Sequence, residues 1–362
     1  MKTIIADQKV FIKSDLIILI AGATVVICAA FFYYLQLNPV LAFITSAAAV
    51  ALLAALVGRS IEQLGDRFGA GATGVLQSAL GNLPELFIAI FALKAGLINV
   101  VKAALAGSIL SNLLLVLGLS FFVGGLKHGT QKLGSSRART IVTLMLLSVM
   151  AMAIPSLAYW IQSAAAPHEE SFSLIVAIVL LALFLLYLPA SLKRGRTGLT
   201  SEEDVGEKPR WPLWLAVALL VVASGLAAFV SEWFVTALEP SMKALHISDE
   251  FAGLVIVAIA GNAIENVVGI QLAAKGRSEY AFSVIINSPL QIALVLAPLL
   301  VIISQVFGLA SFTLVFSPML LAAMFLAIVL AAFISFDGES NWLEGAALIA
   351  IYIIIATAFW WG

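Results

Sequence analysis

The sequence Gly81-Asn82-Leu83-Pro84-Glu85 lies inside an apolar run that extends from about Val75 to Leu93. A similar sequence, Gly261-Asn262-Ala263-Ile264-Glu265, lies 180 residues later inside the apolar run 251–274. Each run is long enough for a membrane-spanning helix, and each places a carboxylic acid near its middle. An ionisable group at that depth costs roughly 2.5–3.5 kcal/mol on insertion scales, so it indicates a functional site. The two motifs therefore predict a pair of functional carboxylates within the membrane.

The composition is typical of a polytopic helical membrane protein. Hydrophobic residues make up 62% of the 362 positions and charged residues only 11%, whereas about 25% of a soluble domain is charged. About 20 apolar residues cross the ~30 Å of hydrocarbon in a lipid bilayer. We predict an all-α fold with eleven transmembrane helices, at about residues 15–35, 39–57, 71–93, 101–123, 141–161, 172–192, 212–238, 251–274, 281–303, 316–336 and 342–361. With a net charge of −1 and no basic tract, we expect no nucleic-acid partner.

The distribution of positive charge orients these helices. With the N-terminus in the cytoplasm, every lysine and arginine except Lys94, Lys102 and Lys243 lies on the cytoplasmic side, as the positive-inside rule requires. We therefore expect an integral protein of the plasma (inner) membrane with a cytoplasmic N-terminus and an external C-terminus. The hydrophilic segment 193–211, which contains the acidic cluster 202–204, is predicted to be a cytoplasmic linker.

The two halves of the chain match at the 180-residue offset. Beyond the motifs, Gly96 aligns with Gly276, where we expect both motif helices to end, and Ser108 aligns with Ser288. Because an odd number of helices separates the motifs, the halves have opposite orientations, and inverted repeats that meet at the midplane are a recurrent transporter plan. The predicted organisation is therefore a tail and extra helix 1, a first five-helix repeat, the linker, and a second, inverted five-helix repeat, in residues 1–36, 37–192, 193–211 and 212–362.

Each motif offers oxygen ligands on one helix face. Asn82 and Glu85 are three residues apart, as are Asn262 and Glu265, so each amide lies beside a carboxylate. Two such faces would form an all-oxygen, doubly anionic metal site, which suits calcium, and no His or Cys lies in these helices to favour a soft metal. Three motif residues have a predicted structural role. Gly81 and Gly261 permit close approach or unwinding of the helix, and Pro84 removes a backbone donor.

The same carboxylates can carry protons. Burial and a second nearby carboxylate both favour the protonated form of Glu, so calcium and protons would compete for one site, which couples their opposite fluxes. Polar residues of neighbouring helices are predicted to line the cavity, namely Ser108, Ser111, Asn112, Ser288 and Gln291. The structural alternative is that the serines mark helix contacts and that the two Glu residues form a buried pair holding helices together.

Other functional classes fit the sequence less well. An intramembrane protease would need a Ser/His pair, two aspartates or a His-Glu-x-x-His motif in the spans. The three histidines, His128, His168 and His246, fall in predicted loops, where we expect them to be solvated. We therefore predict a transporter and not an enzyme. A cation channel is an alternative, since acidic rings select cations.

The residues around both motifs resemble the calcium/proton exchangers, a branch of the calcium/cation antiporter superfamily. The resemblance rests on residues 81–86, 107–118, 231–233, 261–265, 288 and 291–294. It implies a secondary transporter that works by alternating access, with Glu85 and Glu265 as the shared site, calcium as the transported ion and protons as the counter-ion, and it is consistent with homo-oligomers. Gly-Asn before each Glu favours the proton-coupled branch. Asn266 stands where members often have His, so a sodium-driven exchanger of the same fold stays an alternative.

Overall fold

The computed structural model describes residues 10–68, 80–133, 136–197 and 209–361, and these residues are almost wholly helical. Before the predicted linker, the helices are α1 (Lys13–Leu35), α2 (Pro39–Phe68), α3 (Leu83–Lys94), α4 (Ile98–Leu110), α5 (Leu117–His128), α6 (Ser136–Trp160) and α7 (Glu169–Thr197). After it come α8 (Leu213–Leu245), α9 (Asp249–Phe251), α10 (Ala258–Gly261), α11 (Ala263–Ala274), α12 (Ser278–Gln291), α13 (Ala297–Val306), α14 (Pro318–Asp337) and α15 (Trp342–Trp360).

Short irregular elements connect several of these helices. The π-helical segments Ser111–Val116, Ala252–Val257 and Ile292–Leu296 join α4 to α5, α9 to α10 and α12 to α13 without a loop. A 3₁₀ turn, Ala166–His168, precedes α7. Two short strands, β1 (Gln131–Lys132) and β2 (Glu339–Ser340), pair antiparallel.

The helices have the length and composition of membrane spans, which confirms the predicted class of protein. In the described ranges, nine helices are long and apolar enough to cross a membrane. A tenth span results if Asp249–Gly261 and Asn266–Ala274, which are bent by 62° relative to each other, form one broken span. Of the predicted helix 71–93, only the part from residue 80 onward lies within the described residues. The predicted end of helix 2 at residue 57 is too early, because α2 continues to Phe68 with Ile61 and Leu64 buried.

The two motif helices have the same backbone geometry. Asn82 precedes α3 with φ −95° and ψ 16°, and Asn262 precedes α11 with φ −93° and ψ 18°. Both helices are 12 residues long, and each is followed by a glycine with φ +78°, Gly96 and Gly276, a conformation that favours glycine. The predicted helix ends at these two glycines are therefore confirmed.

Pro84 starts a helix instead of kinking one. It occupies the second position of α3, where a backbone N–H has no intrahelical acceptor, so its missing donor leaves no gap in the hydrogen-bond ladder. The same position in α11 is Ile264. The break before α3 and α11 is thus shared, and proline reinforces it only in the first half.

Two glycines let the halves of the chain touch backbone to backbone. A Cβ on Gly107 of α4 would lie 2.2 Å from the Leu254 carbonyl oxygen, and a Cβ on Gly253 would lie 2.4 Å from that of Val100. The helix α4 and the π-helical segment 252–257 therefore cross at a distance that only glycine allows. This crossing brings Ser108, the next residue of α4, close to α10 and α11.

Replacement of Gly107 by alanine is expected to destabilise the protein by about 1–3 kcal/mol, because the added methyl group meets backbone that cannot move aside. The matched control is Gly225→Ala in α8, where nothing lies within 4 Å of the added Cβ. Alanine there should be neutral or stabilising, since it is the better helix former. Thermal unfolding in detergent measures both variants, and equal midpoints would contradict the close crossing.

Hydrogen bonds join several helix ends at one end of the bundle. We call this end, where α8 begins, the linker side. There α8 begins beside the end of α2, because Gln63 Oε1 accepts from the backbone N–H groups of Arg210 (2.8 Å) and Trp211 (3.0 Å). The end of α5 meets the end of α11, where His128 Nε2 lies 3.1 Å from the Ala274 carbonyl oxygen. The prediction that His128 lies in a loop is wrong, because it is the last residue of α5.

The opposite end of the bundle, the far side, has its own contacts. Ser248, which follows α8, donates to the Phe359 carbonyl near the end of α15 (2.6 Å). Lys102, in the second turn of α4, donates to the Val315 carbonyl (2.6 Å). The loop before α14 is held there by α7 as well, since Ser173 Oγ accepts from the Leu314 N–H (3.0 Å).

Candidate functional site

The side chain of Asn262 is the centre of a buried polar cluster. Its Nδ2 donates to Glu85 Oε1 (2.7 Å), to Ser108 Oγ (2.8 Å) and to the Ala258 carbonyl (2.9 Å). Its Oδ1 accepts from Asn112 Nδ2 (2.9 Å) and from Ser288 Oγ (3.2 Å). The break at residue 262 makes this possible, because the amide projects from the junction of α10 and α11. Residues from both halves of the chain therefore share one network.

Glu85 sits at this cluster through its position at the start of α3. Ser108 Oγ donates to the same Oε1 atom at 3.1 Å, so one carboxylate oxygen receives two donors. The carboxylate-bearing side chain packs on bare backbone, since a Cβ on Gly261 would lie 2.5 Å from Glu85 Cγ. The glycine of the second motif thus makes room for the acid of the first motif. This is a specific reason for glycine at position 261.

A second set of contacts extends the cluster across the bundle. Asn112 Nδ2 also donates to the Ser108 carbonyl (2.9 Å) and reaches Ser288 Oγ at 3.4 Å. Asn82 Nδ2 donates to Gln291 Oε1 at 3.4 Å, between α3 and α12. Five members of the cluster are at most 4% exposed, namely Ser108, Asn112, Asn262, Ser288 and Gln291. Four of the five predicted lining residues, Ser108, Asn112, Ser288 and Gln291, therefore lie in this cluster, on three helical segments.

Three predicted site residues are not placed in this cluster. Ser111 is fully buried, but it makes none of these bonds. Glu265 belongs to the first turn of α11, but its side chain lies outside the described residues. Gly81 lies in the turn that precedes α3.

A small cavity lies beside Glu85, between α3 and α4. Its walls are mostly apolar side chains of these two helices, including Ala92 and Val101, and Glu85 and Ser108 are its polar lining residues. A few polar groups in an otherwise apolar cavity are typical of ligand sites. The cavity therefore leaves some space beside the carboxylate.

The chemistry of the cluster is that of oxygen and amide groups. Within the described ranges, no three His, Cys, Asp or Glu side chains lie close enough together to hold a metal ion. The potential ligands are the Glu85 carboxylate, the side-chain oxygens of four amides and two hydroxyl groups. Such hard oxygen ligands suit calcium.

The sequence interpretation missed two contributors to this site. The Ala258 carbonyl accepts from Asn262, and no side-chain pattern could reveal it. The Gly261–Glu85 contact joins positions far apart in the sequence, and the only sequence signal was the glycine itself. The Gly261–Glu85 contact could not be assigned before the two halves were placed against each other.

Similarity to known proteins agrees with this architecture. Residues 38–193 and 215–361 match the sodium/calcium exchanger protein family. The chain belongs to this family. It is 35% identical over 343 residues to a Ca(2+)/H(+) antiporter of Aphanothece halophytica, and the alignment covers 90% of this chain and 92% of the relative. A Ca(2+)/H(+) antiporter of Synechocystis sp. is 38% identical over 337 residues, with 88% and 90% covered.

A solved structure supports the same relationship. The structure of native YfkE has a TM-score of 0.80 and 34% sequence identity, and the alignment covers 95% of this chain and 99% of that one. The resemblance to the calcium/proton exchangers is therefore confirmed, and the family consists of transporters, not enzymes.

Proposed function

We infer that this protein is a secondary transporter that exchanges calcium for protons across a membrane. The observation that carries the inference is the Glu85 carboxylate, held by Asn262 and Ser108 at the junction of broken helices. The family membership and the Ca(2+)/H(+) antiporters at 35% and 38% identity support it. The chemistry is binding and release, so no bond of a substrate is broken and the protein is not an enzyme.

We propose that calcium and protons share the two acids. Calcium would bind to ionised Glu85 and Glu265, with Asn82 and Asn262 as amide ligands and Ser108, Ser288, Asn112 and Gln291 completing the cavity. In the ion-free arrangement Asn262 Nδ2 donates to Glu85. Rotation of the amide would present its oxygen to the cation instead. Protonation of the carboxylates removes the negative charge that holds calcium, which makes the two ions exclude each other.

Alternating access follows if only a loaded site can move between the two sides of the membrane. The pairs Asn82/Asn262 and Gly96/Gly276 and the π-helical segments 111–116 and 292–296 occur at nearly equal spacing in both halves. They support two inverted repeats, 37–192 and 212–362, joined by the linker 193–211. Each half would then carry one acid, Glu85 or Glu265, at the start of a broken helix.

The end contacts support eleven crossings. Gln63, near the end of α2, lies beside Trp211 on the linker side. Asn99, at the start of α4, lines a cavity with Glu250, which follows α8 on the far side. The chain therefore reaches the far side between residues 68 and 98, which adds one crossing to the ten described or broken spans. The first of the eleven, α1, lies outside both proposed repeats.

The orientation follows from the charges. We propose that the linker side faces the cytoplasm, because the positive-inside rule assigns residues 59–67, 127–139 and 193–210 to it. The N-terminus is then cytoplasmic and the C-terminus external, in the plasma (inner) membrane. The homo-oligomer expected from the family resemblance stays a prediction.

Calcium uptake into sealed vesicles tests the proposed function. Proteoliposomes with an acidic interior should accumulate calcium, and uptake should stop when nigericin collapses the pH gradient in the presence of potassium. A sodium gradient at equal internal and external pH should drive none.

The alternatives give different results in the same assay. Uptake driven by sodium but not by the pH gradient would replace the proposal with a sodium-driven exchanger. Uptake that needs neither gradient and produces an electrical current would indicate a cation channel. Empty liposomes provide the background leak.

A further inference from the structure

The last helix, α15, packs tightly against α5 along a line of glycines. A Cβ on Gly118 would lie 2.8 Å from the Gly345 carbonyl oxygen, and a Cβ on Gly345 would lie 2.4 Å from the Phe122 backbone nitrogen. Nearer the linker side, a Cβ on Gly125 would lie 2.5 Å from the Trp342 backbone nitrogen. Residue numbers therefore rise along α15 as they fall along α5, and the two backbones are in contact.

This antiparallel contact brings Tyr352 of α15 beside Ser111. Tyr352 is seven residues after Gly345, and Ser111 is seven residues before Gly118, which is about two helical turns in each case. The hydroxyl groups of Tyr352 and Ser111 interact with each other. Ser111 is fully buried, and Tyr352 is 4% exposed. The contact between the two helices thus ends in a polar pair, at the residue that precedes Asn112 of the ion site.

The two hydroxyl groups lie close together without forming a good bond. Within the described ranges, Ser111 Oγ and Tyr352 OH are both buried and lack a well-aligned hydrogen bond. Other buried serines of the spans, such as Ser60 and Ser241, donate to the carbonyl four residues earlier, at 2.8 Å and 2.6 Å, whereas Ser111 faces α15. A buried hydroxyl group without a partner is unfavourable, and phenylalanine would fill the same space without that cost. Packing in this arrangement therefore does not explain a tyrosine at position 352.

Asn112, the next residue after Ser111, has an unpaired oxygen as well. Its Nδ2 donates to the Ser108 carbonyl and to Asn262 Oδ1, both at 2.9 Å, but its Oδ1 is buried without a partner among the described residues. Calcium binds oxygen ligands, so Asn112 can serve as a calcium ligand only through Oδ1. The bond to the Ser108 carbonyl ties the amide to its own helix, and π-helical segments such as 111–116 are frequent at functional sites. A shift at the start of this segment would move Ser111 and Asn112 together.

We propose that Tyr352 is a positioning residue for calcium binding, whose hydroxyl group hydrogen-bonds to Ser111 when Asn112 turns its oxygen toward the ion. One shift of the segment 111–116 then satisfies three unpaired groups, because calcium binds Asn112 Oδ1 and the two hydroxyl groups bond to each other. The inference rests on the proposed function, since that function places Asn112 at the calcium site. Tyr352 does not touch calcium, and it favours the calcium-binding arrangement by about two- to tenfold, the net effect of one hydrogen bond.

Calcium titration of Tyr352→Phe tests the proposal, with binding measured by thermal unfolding of the full chain in detergent. Without calcium, the variant should be at least as stable as the unmodified protein, because it lacks a buried unpaired hydroxyl group. Its dissociation constant for calcium should nevertheless be about two- to tenfold higher. In pH-driven uptake, the half-saturating calcium concentration should rise by the same factor, while the rate at saturating calcium changes little. A purely structural tyrosine would instead lower the calcium-free stability when replaced.

Ser111→Ala and the double variant complete the test. Ser111→Ala should weaken calcium binding by the same factor, and the double variant should bind no more weakly than either single variant, because both substitutions remove one contact. The control is Ser335→Ala in α14. Within the described residues, Ser335 also carries a buried unpaired hydroxyl group, and its replacement should leave calcium binding unchanged.

Three results would overturn the proposal. They are calcium binding by Tyr352→Phe equal to that of the unmodified protein, a lower unfolding midpoint of this variant without calcium, and a double variant that shows the product of the two single effects. Each of them leaves the exchanger function intact, because the unmodified protein still binds calcium. If the unmodified protein itself binds no calcium, the proposed function fails and the role of Tyr352 fails with it.

Discussion

Glu85→Gln is expected to reduce calcium exchange by roughly 100-fold or more. Glutamine has nearly the same shape and can still accept from Asn262 Nδ2 and Ser108 Oγ, which lie 2.7 Å and 3.1 Å from the carboxylate oxygen. It carries no charge, however, and it cannot take up or release a proton. Loss of one charged partner in a buried site costs about 3–5 kcal/mol, which corresponds to that loss of calcium affinity. The initial rate of calcium uptake driven by a pH gradient measures it.

Thermal unfolding separates loss of the site from loss of the fold. Calcium binding stabilises the folded protein in proportion to the logarithm of its concentration over the dissociation constant. The unmodified protein should therefore gain stability with calcium, while Glu85→Gln should be as stable without calcium and gain nothing. The control is Glu239→Gln, because Glu239 is half exposed and pairs with Lys243 at the surface, where such pairs contribute little.

Two results would contradict the role of the acids. Calcium-dependent stabilisation that survives in Glu85→Gln would mean that the ion binds elsewhere. We expect Glu265→Gln to behave like Glu85→Gln, since the proposal gives both acids the same task. If only Glu85→Gln were inactive, the two-carboxylate site would be wrong, although the assignment of Glu85 would stand.

The repeated motif predicted more of the backbone than of the contacts. The ends of α3 and α11 at Gly96 and Gly276 followed from sequence, because a glycine after an apolar run is a local signal. The crossing of Gly107 with Leu254 did not, since it depends on how two helices far apart in the chain are placed. His128 shows the same limit: its neighbour Ala274 is 146 residues away, so the sequence alone indicated only an exposed side chain.

The candidate site was likewise predicted in part, because its residues followed from the sequence and their contacts did not. Asn82, Glu85 and Asn262 were found because polar residues are rare in membrane spans and these recur. One feature of their geometry was not predicted, namely that Asn262 immediately precedes α11 with a backbone conformation that is not helical. It stands at the break, and from there it reaches Glu85 in the other half.

Asn262→Ala is expected to lower both stability and exchange. The amide has five polar partners within hydrogen-bond distance, and of these Ser108, Asn112 and Ser288 are at most 4% exposed. Removal leaves buried polar groups unsatisfied, at about 1–3 kcal/mol for such a group. Exchange should fall at least tenfold, because Glu85 loses its shorter donor and calcium would lose one of its proposed amide ligands. Thermal unfolding and uptake rates measure the two effects.

The control for this variant is Asn99→Ala, an exposed amide at the start of α4. It should change the unfolding midpoint and the uptake rate little, since surface substitutions usually stay within about 0.5 kcal/mol. If Asn262→Ala matched Asn99→Ala in both measurements, Asn262 would be a packing residue and not the centre of the site.

A double-mutant cycle identifies the bond that joins the halves. Asn112 Nδ2 donates to Asn262 Oδ1 at 2.9 Å although the residues are 150 positions apart. Residues in one hydrogen-bond network show interaction energies of about 0.5–3 kcal/mol, whereas distant residues add. Asn112→Ala combined with Asn262→Ala should therefore cost less stability than the two single losses together. Asn99→Ala combined with Asn262→Ala should be additive. Additivity in both pairs would mean that the cross-half contact does not hold the site, because Asn112 and Asn262 would then act independently.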